Sequence, residues 1–419
     1  MITTQLIINL LLILTVAWIL GSLFSRFGLP VMLGELLAGV ILGPPLLGLV
    51  TASPSLELMA EMGIFFVMFY TGMEMDAREL LEHIWPSMAV AVGGFVVPFV
   101  LGYFVTRMFG GTVFQALFVG MGISVTAIAV QSIVLNSMRI NKTSIGHIII
   151  GAAIIDDILS LIALSVLLGL AKTGTVIVTD LGWIILKVIA FFGLTIILGH
   201  FVIPRFTKHL HDREGKGFTF AFATALVMAY FAELAGLHLI IGAFLAGQFV
   251  RKEIMDESIY LAIKDRFYGI AYGFLVPIFF VSLSFHLHFE MNVSFMLFTL
   301  ALIFVAVASK LVGSGLGAAL FRRNFWDSVV VGFGMNGRGA VEMVIAVVVI
   351  NLSNELMKAN TISEPLLTET QFSALILMAF ITTLMAPLTL KWAAMRACQA
   401  DEKATFCQLW ENSLQEEKL

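Results

Sequence analysis

The stretch GAAIIDDILSLIALS, residues 151–165, places two neighbouring aspartates inside an apolar run. The nearest lysines in sequence are Lys142 and Lys172, each 15 residues from Asp157. At about 1.5 Å per helical residue, this spacing puts Asp156 and Asp157 near the middle of a segment long enough to cross a membrane. A carboxylate at that depth costs about 3 kcal/mol or more, so it is seldom without a role. A purely structural pair, held by neighbouring helices, is the alternative.

The composition extends this membrane character to the whole chain. Of 419 residues, 59% are hydrophobic and 12% are charged, and the mean hydropathy is +1.00. Soluble domains carry about 25% charged residues, so the sequence predicts an all-α integral membrane protein. The first apolar run, LIINLLLILTVAWILGSLF, lacks a preceding basic region and is too long for a signal-peptide core, and we expect it to remain as a helix. Two cysteines, Cys398 and Cys407, are expected to form neither a disulfide framework nor a metal cluster.

Breaks at glycine, proline and charged residues divide the chain into about thirteen membrane segments. Their predicted bounds are 5–25, 30–49, 56–75, 85–107, 113–137, 143–170, 179–204, 217–234, 237–251, 262–287, 293–321, 326–352 and 370–395. When the segments alternate in direction, 18 basic residues lie on one side of the membrane and 3 on the other. Because short cytoplasmic loops carry the excess of Lys and Arg, this predicts an outside N-terminus and a cytoplasmic C-terminus.

Three short sequences recur in order, always seven segments apart. The pairs are VMLGELLAG (31–39) with LIIGAFLAG (239–247), IFFV (64–67) with its copy at 278–281, and VGMGIS (119–124) with VGFGMN (331–336). Since seven is odd, the second unit enters the membrane from the opposite side. We therefore predict two inverted-topology repeats of six segments, an arrangement typical of secondary transporters.

The repeats define the predicted organisation of the chain. A single transmembrane domain covers 1–397, with repeat one at 1–170, a linking helix at 179–204 and repeat two at 217–397. A short cytoplasmic tail follows at 398–419.

Lys310, in the eleventh segment, is the expected counter-charge for the aspartates. It lies near the middle of its segment, with the nearer interface about ten residues away, too far for its side chain to snorkel. Small residues around it, such as Gly313, permit close helix packing. A lysine in that place either pairs with an acid or loses its proton.

The fifth and twelfth segments are predicted to lose helical structure in mid-membrane. The run GMGISVTAIAVQS weakens the helix from Ser124 to Ala127, and GFGMNGRGAVEM does so near Asn336. Unwound backbone exposes carbonyls that can coordinate a cation. Glycines that only ease helix packing are the alternative.

Arg338 and Glu342 are four residues apart and share a helix face. A structural ion pair is favoured over a direct transport role for them. Four isolated acids nearer the segment ends are interpreted as packing, funnel or surface charges: Glu35, Glu61, Glu74 and Glu233.

These motifs resemble those of the monovalent cation:proton antiporter superfamily, and especially bacterial sodium/proton antiporters of its second family. The resemblance covers nearly the whole chain and is carried by LPVMLGELLAGVILGP, GIFFVMFYTGMEMD, IIDDILSL, HLIIGAFLAG and GMNGRGAVEMVIA. It implies thirteen helices, a dimerisation part and a mobile core with two crossed broken helices. We place the core at about 85–170 and 293–397 and the dimerisation part at about 5–75 and 217–287.

The resemblance also implies roles for individual residues. Asp157 looks like the ion-binding carboxylate, and Asp156 looks like its neighbour that pairs with Lys310. Thr126 would contribute from the first unwound stretch, where Ser124 also lies. Na⁺ is therefore expected at Asp157 and Asp156.

The expected function is a secondary active antiporter that exchanges cytoplasmic Na⁺ or Li⁺ for external protons, with net charge movement and alternating access. It would be a homodimer in the lipid of the inner cell membrane. Exchange of K⁺ for protons is the runner-up, and a cation channel is less favoured. An intramembrane aspartyl protease needs its two acids on different helices, whereas Asp156 and Asp157 are adjacent on one helix. Enzymatic activity, a cofactor and a nucleic-acid partner are not expected.

Overall fold

The protein is described by a computed structural model. It describes residues 4–27, 30–75, 77–173, 178–203, 205, 216–250, 257–285, 292–321, 324–339, 346, 349–350, 352–353, 356–358, 362, 364–400 and 407. Among these residues there are helices and connecting loops and no strand.

The helices follow one another along the chain, with π-helical turns at Leu198–Val202 and Ala271–Leu275. They are α1 (Thr4–Arg26), α2 (Val31–Leu42), α3 (Pro54–Glu74), α4 (Ala77–Glu82), α5 (Ile84–Met108), α6 (Val113–Ser124), α7 (Ile128–Ser137), α8 (Ser144–Thr173), α9 (Val178–Ile197), α10 (Lys216–Leu234), α11 (Leu239–Gly247), α12 (Glu257–Ile270), α13 (Val276–Ser282), α14 (Val293–Ala319), α15 (Phe325–Gly334) and α16 (Glu369–Ala400).

Within the described residues, 8 helical stretches are long and apolar enough to cross a membrane. They are α1, α3, α5, α6 with α7, α8, α10, α14 and α16. Each predicted segment overlaps at least one observed helix, which bears out the all-helical membrane fold. The count of thirteen spans and the inverted repeat stay predictions.

Reciprocal side-chain caps fix where two of the long helical stretches begin. Thr112 Oγ1 accepts from the backbone of Gln115 at 3.3 Å, while Gln115 Oε1 accepts from the backbone of Thr112 at 3.0 Å. Thr368 and Gln371 form the same pair before α16, at 3.1 Å in both directions. Such capping boxes satisfy two of the N–H groups that a helix leaves open. The Gln371 amide also donates to Gln115 Oε1 at 3.2 Å, so the starts of α6 and α16 are joined.

The first of two compact units consists of Met1–Glu79 and Thr179–Phe285. In it α1 packs on α2, and α3 packs on α11 and α13. A Cβ at Gly72 of α3 would strike the carbonyl of Phe244 on α11, so these two helices meet backbone to backbone.

The second unit consists of Leu80–Val178 and His286–Leu419. Here α5 packs along α14 and also contacts α6 and α8, while α15 and α16 pack on α14. Gly93 on α5 and Gly313 on α14 approach so closely that a Cβ on either would strike the other's carbonyl. This contact brings the middle of α14, with Lys310, against α5. The assignment of a transport core and a dimerisation part to the chain stays a prediction.

Cys398 and Cys407 form a disulfide, with Cα atoms 5.3 Å apart. The expectation that these residues form no disulfide was therefore wrong. Sequence spacing alone does not say whether two Cα atoms come within the roughly 4.4–6.8 Å that a disulfide requires. Here Cys398 lies in the last turn of α16, and Cys407 is 9 positions further along the chain.

Candidate ion-binding site

The fifth predicted segment is interrupted between α6 and α7. Val125 (φ −66°, ψ 144°) and Ala127 (φ −84°, ψ 102°) have extended backbone there. The interruption follows from the local sequence, because β-branched Val125 and Thr126 are poor helix formers. In addition, Ser124 Oγ donates to the carbonyl of Gly120 at 2.7 Å, a side-chain bond of the kind that bends helices.

The twelfth predicted segment also loses its helix, at residues 336–339 after α15. This stretch contacts the first interruption directly. The backbone N–H of Ala127 donates to the carbonyl of Gly337 at 3.1 Å. The Thr126 hydroxyl lies 3.5 Å from the carbonyl of Met335, which it faces as a donor. The two interruptions therefore satisfy part of each other's backbone, as non-helical chain at membrane depth requires.

Lys310 connects α14 to this interruption. Its Nζ lies 3.5 Å from Asp156 Oδ2, and both side chains are fully buried. The same Nζ donates to the carbonyl of Gly94 at 2.7 Å and to the carbonyl of Ser124, the last residue of α6. The lysine thus neutralises Asp156 and places a positive charge at a helix C-terminus, where the helix dipole favours it.

Arg338 brings a second buried cation to the same helix end. Its Nη1 donates to the carbonyls of Val125 at 3.1 Å and Gly122 at 3.4 Å. Its backbone is held by Thr383, whose hydroxyl accepts from Arg338 N–H at 3.2 Å and donates to Arg338 carbonyl at 2.6 Å. Glu342 lies outside the described residues, so its pairing with Arg338 stays a prediction.

Asp157 and Asn336 are two buried polar residues whose side chains take no part in these hydrogen bonds. They are 8% and 1% exposed, and neither makes a hydrogen bond through its side chain within the described part of the chain. Asp157 follows Asp156 on α8, and adjacent helical positions point about 100° apart, so the two carboxylates face different surroundings. Buried polar atoms without partners are rare and need an explanation. A bound cation or proton would supply one for Asp157.

A sequence profile described as "Sodium/hydrogen exchanger, transmembrane" matches residues 10–396. The chain belongs to the sodium/hydrogen exchanger family. Its members are transporters and not enzymes, and membership makes this chain a multi-pass membrane protein that exchanges cations for protons. The resemblance to cation:proton antiporters is confirmed.

Individual relatives agree with this assignment. The Na⁺/H⁺-K⁺ antiporter GerN of Bacillus cereus is 31% identical over 383 residues, which cover 91% of this chain and 94% of the relative. A Na⁺/H⁺ antiporter of Enterococcus hirae is 29% identical over 389 residues, or 92% of this chain and 97% of the relative. The solved structure of the sodium proton antiporter MjNhaP1 from Methanocaldococcus jannaschii has a TM-score of 0.75 at 17% identity, covering 97% of this chain and 100% of that one. That likeness supports an antiporter fold.

The structure brings some of the predicted site residues of this exchanger together. Asp156, Lys310 and Ser124 are in contact, and Thr126 reaches the second interruption. Three residues that hold the network were missed by sequence reasoning: Gly94, Gln131 and Thr383. Gly94 acts through its carbonyl, which carries no side-chain signal. A polar residue in mid-segment could have drawn attention to the other two.

Proposed function

We propose that the chain exchanges cytoplasmic Na⁺, or Li⁺, for external protons, and that the Asp157 carboxylate binds either the cation or a proton. The observation that supports this proposal is that the Asp157 carboxylate is buried and makes no hydrogen bond in the described part of the chain. Binding a proton or a small cation removes the free-energy cost of burying this negative charge without a partner. Because one carboxylate does not hold both, the competition couples the two fluxes.

The remaining cation ligands are assigned by elimination. Lys310 and Arg338 already occupy carbonyls at the end of α6, those of Ser124, Gly122 and Val125. The Asn336 amide is buried and makes no hydrogen bond among the described residues, so we offer its oxygen as a further candidate ligand of the cation. Oxygen ligands of this kind suit hard monovalent cations.

Alternating access is assigned to the second unit, which holds every residue of the site. Its compactness supports movement as one body, with the first unit as a static dimerisation part. The proposal includes the inner cell membrane, an outside N-terminus, a cytoplasmic C-terminus and a homodimer.

Potassium/proton exchange is the second candidate. The observation that favours it is the name of the Bacillus cereus relative, a Na⁺/H⁺-K⁺ antiporter. A cation channel is less favoured because Asp157 is 8% exposed, whereas a pore-lining acid faces a continuous water path.

The test measures proton flux in proteoliposomes with a pH-sensitive dye, using Na⁺, Li⁺ and K⁺ across a range of pH. Asp157→Asn removes the titrating charge with little change in volume, and we expect its flux to fall to that of empty vesicles. Glu369→Gln, an exposed acid of the same unit, is the matched control and should keep wild-type flux. Cation-dependent flux from Asp157→Asn would reject the role of Asp157. Flux that saturates at lower K⁺ than Na⁺ would replace sodium by potassium as the cargo.

A further inference from the structure

A cavity of about 610 Å³ lies within the first unit, between α1, α2 and the π-helical turn at Ala271–Leu275. Its polar lining consists of Ser22, Ser25, Glu35 and Tyr272, and Trp18 joins them at the rim. Aliphatic side chains cover most of the remaining wall. Cavities of about 300–1,000 Å³ suit organic ligands rather than single ions.

Glu35 is the feature of this cavity that calls for a ligand. It is 6% exposed, and its carboxylate has no hydrogen bond or ion pair with any other described residue. Isolated burial of a carboxylate is expensive, so it is normally offset by a partner. The sequence interpretation of Glu35 as a packing or surface charge does not account for this burial.

The chemistry of the lining selects an ammonium group. Carboxylate, hydroxyl and aromatic side chains together are the usual partners of organic ammonium ions. A primary ammonium brings three N–H donors that Glu35 and the serine hydroxyls accept, whereas a quaternary ammonium brings none. A bare Na⁺ needs a tight shell of about six oxygens, and a water molecule occupies about 30 Å³, so a space of this size does not suit it.

The position of the cavity indicates a lipid as the source of that ammonium. Trp18 lines the cavity, is 71% exposed and lies on α1, a helix long and apolar enough to cross a membrane. The cavity therefore opens on the exposed face of α1. Leu11, two helical turns before Trp18, and Ile19, next to it, are also exposed and suit contact with acyl chains. Arg26 is exposed, directly follows Ser25 and suits a phosphate.

We propose that this cavity binds the headgroup of an aminophospholipid of the phosphatidylethanolamine type, with its ammonium on the Glu35 carboxylate. The acyl chains would lie along the apolar surface of α1.

The test follows thermal unfolding of the full chain in detergent. Phosphatidylethanolamine, phosphatidylcholine and phosphatidylglycerol with identical acyl chains are added separately. We expect phosphatidylethanolamine to raise the unfolding temperature by several degrees more than the other two. Glu35→Gln should abolish that difference and, without lipid, unfold at or above the wild-type temperature, because it removes an unpaired buried charge. Glu57→Gln, an exposed acid of the same unit, should keep the difference.

A second pair of variants tests the cavity without touching the acid. A Cβ at Gly273 would meet nothing within 4 Å, so Gly273→Leu fills the cavity without a backbone clash and should also abolish the difference. Gly269, one turn earlier, has the same open space but does not line the cavity. Gly269→Leu should therefore keep the stronger stabilisation by phosphatidylethanolamine. Equal stabilisation by phosphatidylcholine, or a preference that survives either Glu35→Gln or Gly273→Leu, overturns the proposal. Stabilisation by Na⁺ alone that Glu35→Gln removes overturns it in favour of an inorganic cation.

Discussion

Lys310 holds three groups at once: Asp156 at 3.5 Å, the carbonyl of Gly94 at 2.7 Å and the carbonyl of Ser124. Removing one member of a buried ion pair costs about 3–5 kcal/mol, because the remaining charge stays buried without compensation. Removing both members costs far less. Glutamine keeps N–H donors at this position but carries no charge.

We therefore expect Lys310→Gln to lower the unfolding temperature of the detergent-solubilised protein strongly. The double variant Lys310→Gln with Asp156→Asn should recover most of that loss, since no charge is then left unpaired. Thermal unfolding of the wild type, both single variants and the double variant completes the cycle. Additive losses would show that the pair contributes nothing beyond its separate side chains.

Arg338 is fully buried and serves two carbonyls at the end of α6, which gives it a structural role that needs no transported ion. Arg338→Met should leave the carbonyls of Gly122 and Val125 without this donor, at about 1–3 kcal/mol each. We expect lower stability but near-normal proton flux per folded molecule. Stability is measured by thermal unfolding, and flux is normalised to folded protein in the vesicles. A stable variant without flux would assign Arg338 a direct part in transport.

At the level of elements, the two interruptions are joined by hydrogen bonds, such as that from the Ala127 backbone to the Gly337 carbonyl at 3.1 Å. A Cβ at Gly337 would lie 2.6 Å from Nε2 of Gln131, the atom that donates to the Gly337 carbonyl at 3.2 Å. Gly337→Ala therefore displaces a flexible side chain that helps to hold the two interruptions together. We expect flux in proteoliposomes to fall several-fold while the unfolding temperature changes little.

Gly193→Ala is the matched control, because a Cβ there would meet nothing within 4 Å. It should leave both flux and stability at wild-type values. Unchanged flux in a stable Gly337→Ala variant would mean that this glycine only eases packing.

The sequence was sufficient to predict the features that depend on local chemistry. Serine, threonine and glycine runs marked both interruptions, and a lone lysine in mid-segment indicated a counter-charge for the two aspartates. The contacts of Arg338 could not be predicted from the sequence, because a guanidinium that binds carbonyls on another helix leaves no pattern in its own segment. The same holds for Glu35, whose burial depends on how α1 and α2 pack around a cavity.

For the whole molecule, the decisive quantity is the charge moved in one exchange cycle. Asp157 alone would exchange one proton for one cation without net charge. Lysine, unlike arginine, can lose its proton when its partner is withdrawn. If Lys310 releases a proton as the cation enters and regains it when the cation leaves, two protons move against one cation. A single net charge then crosses the membrane in each cycle.

With two protons leaving for each Na⁺ that enters, an inside-positive potential should drive Na⁺ uptake into vesicles even without a pH gradient. Moving one net charge across a potential of about 100 mV releases about 2.3 kcal/mol, which corresponds to roughly 50-fold accumulation of Na⁺ in the vesicles. Radioactive Na⁺ uptake at imposed potassium diffusion potentials measures this directly. Lys310→Gln should retain slower exchange through Asp157 but lose the response to the potential, because one proton then balances one cation. Wild-type uptake that ignores the potential, or a Lys310→Gln variant that keeps the full response, would reduce Lys310 to a structural counter-ion for Asp156.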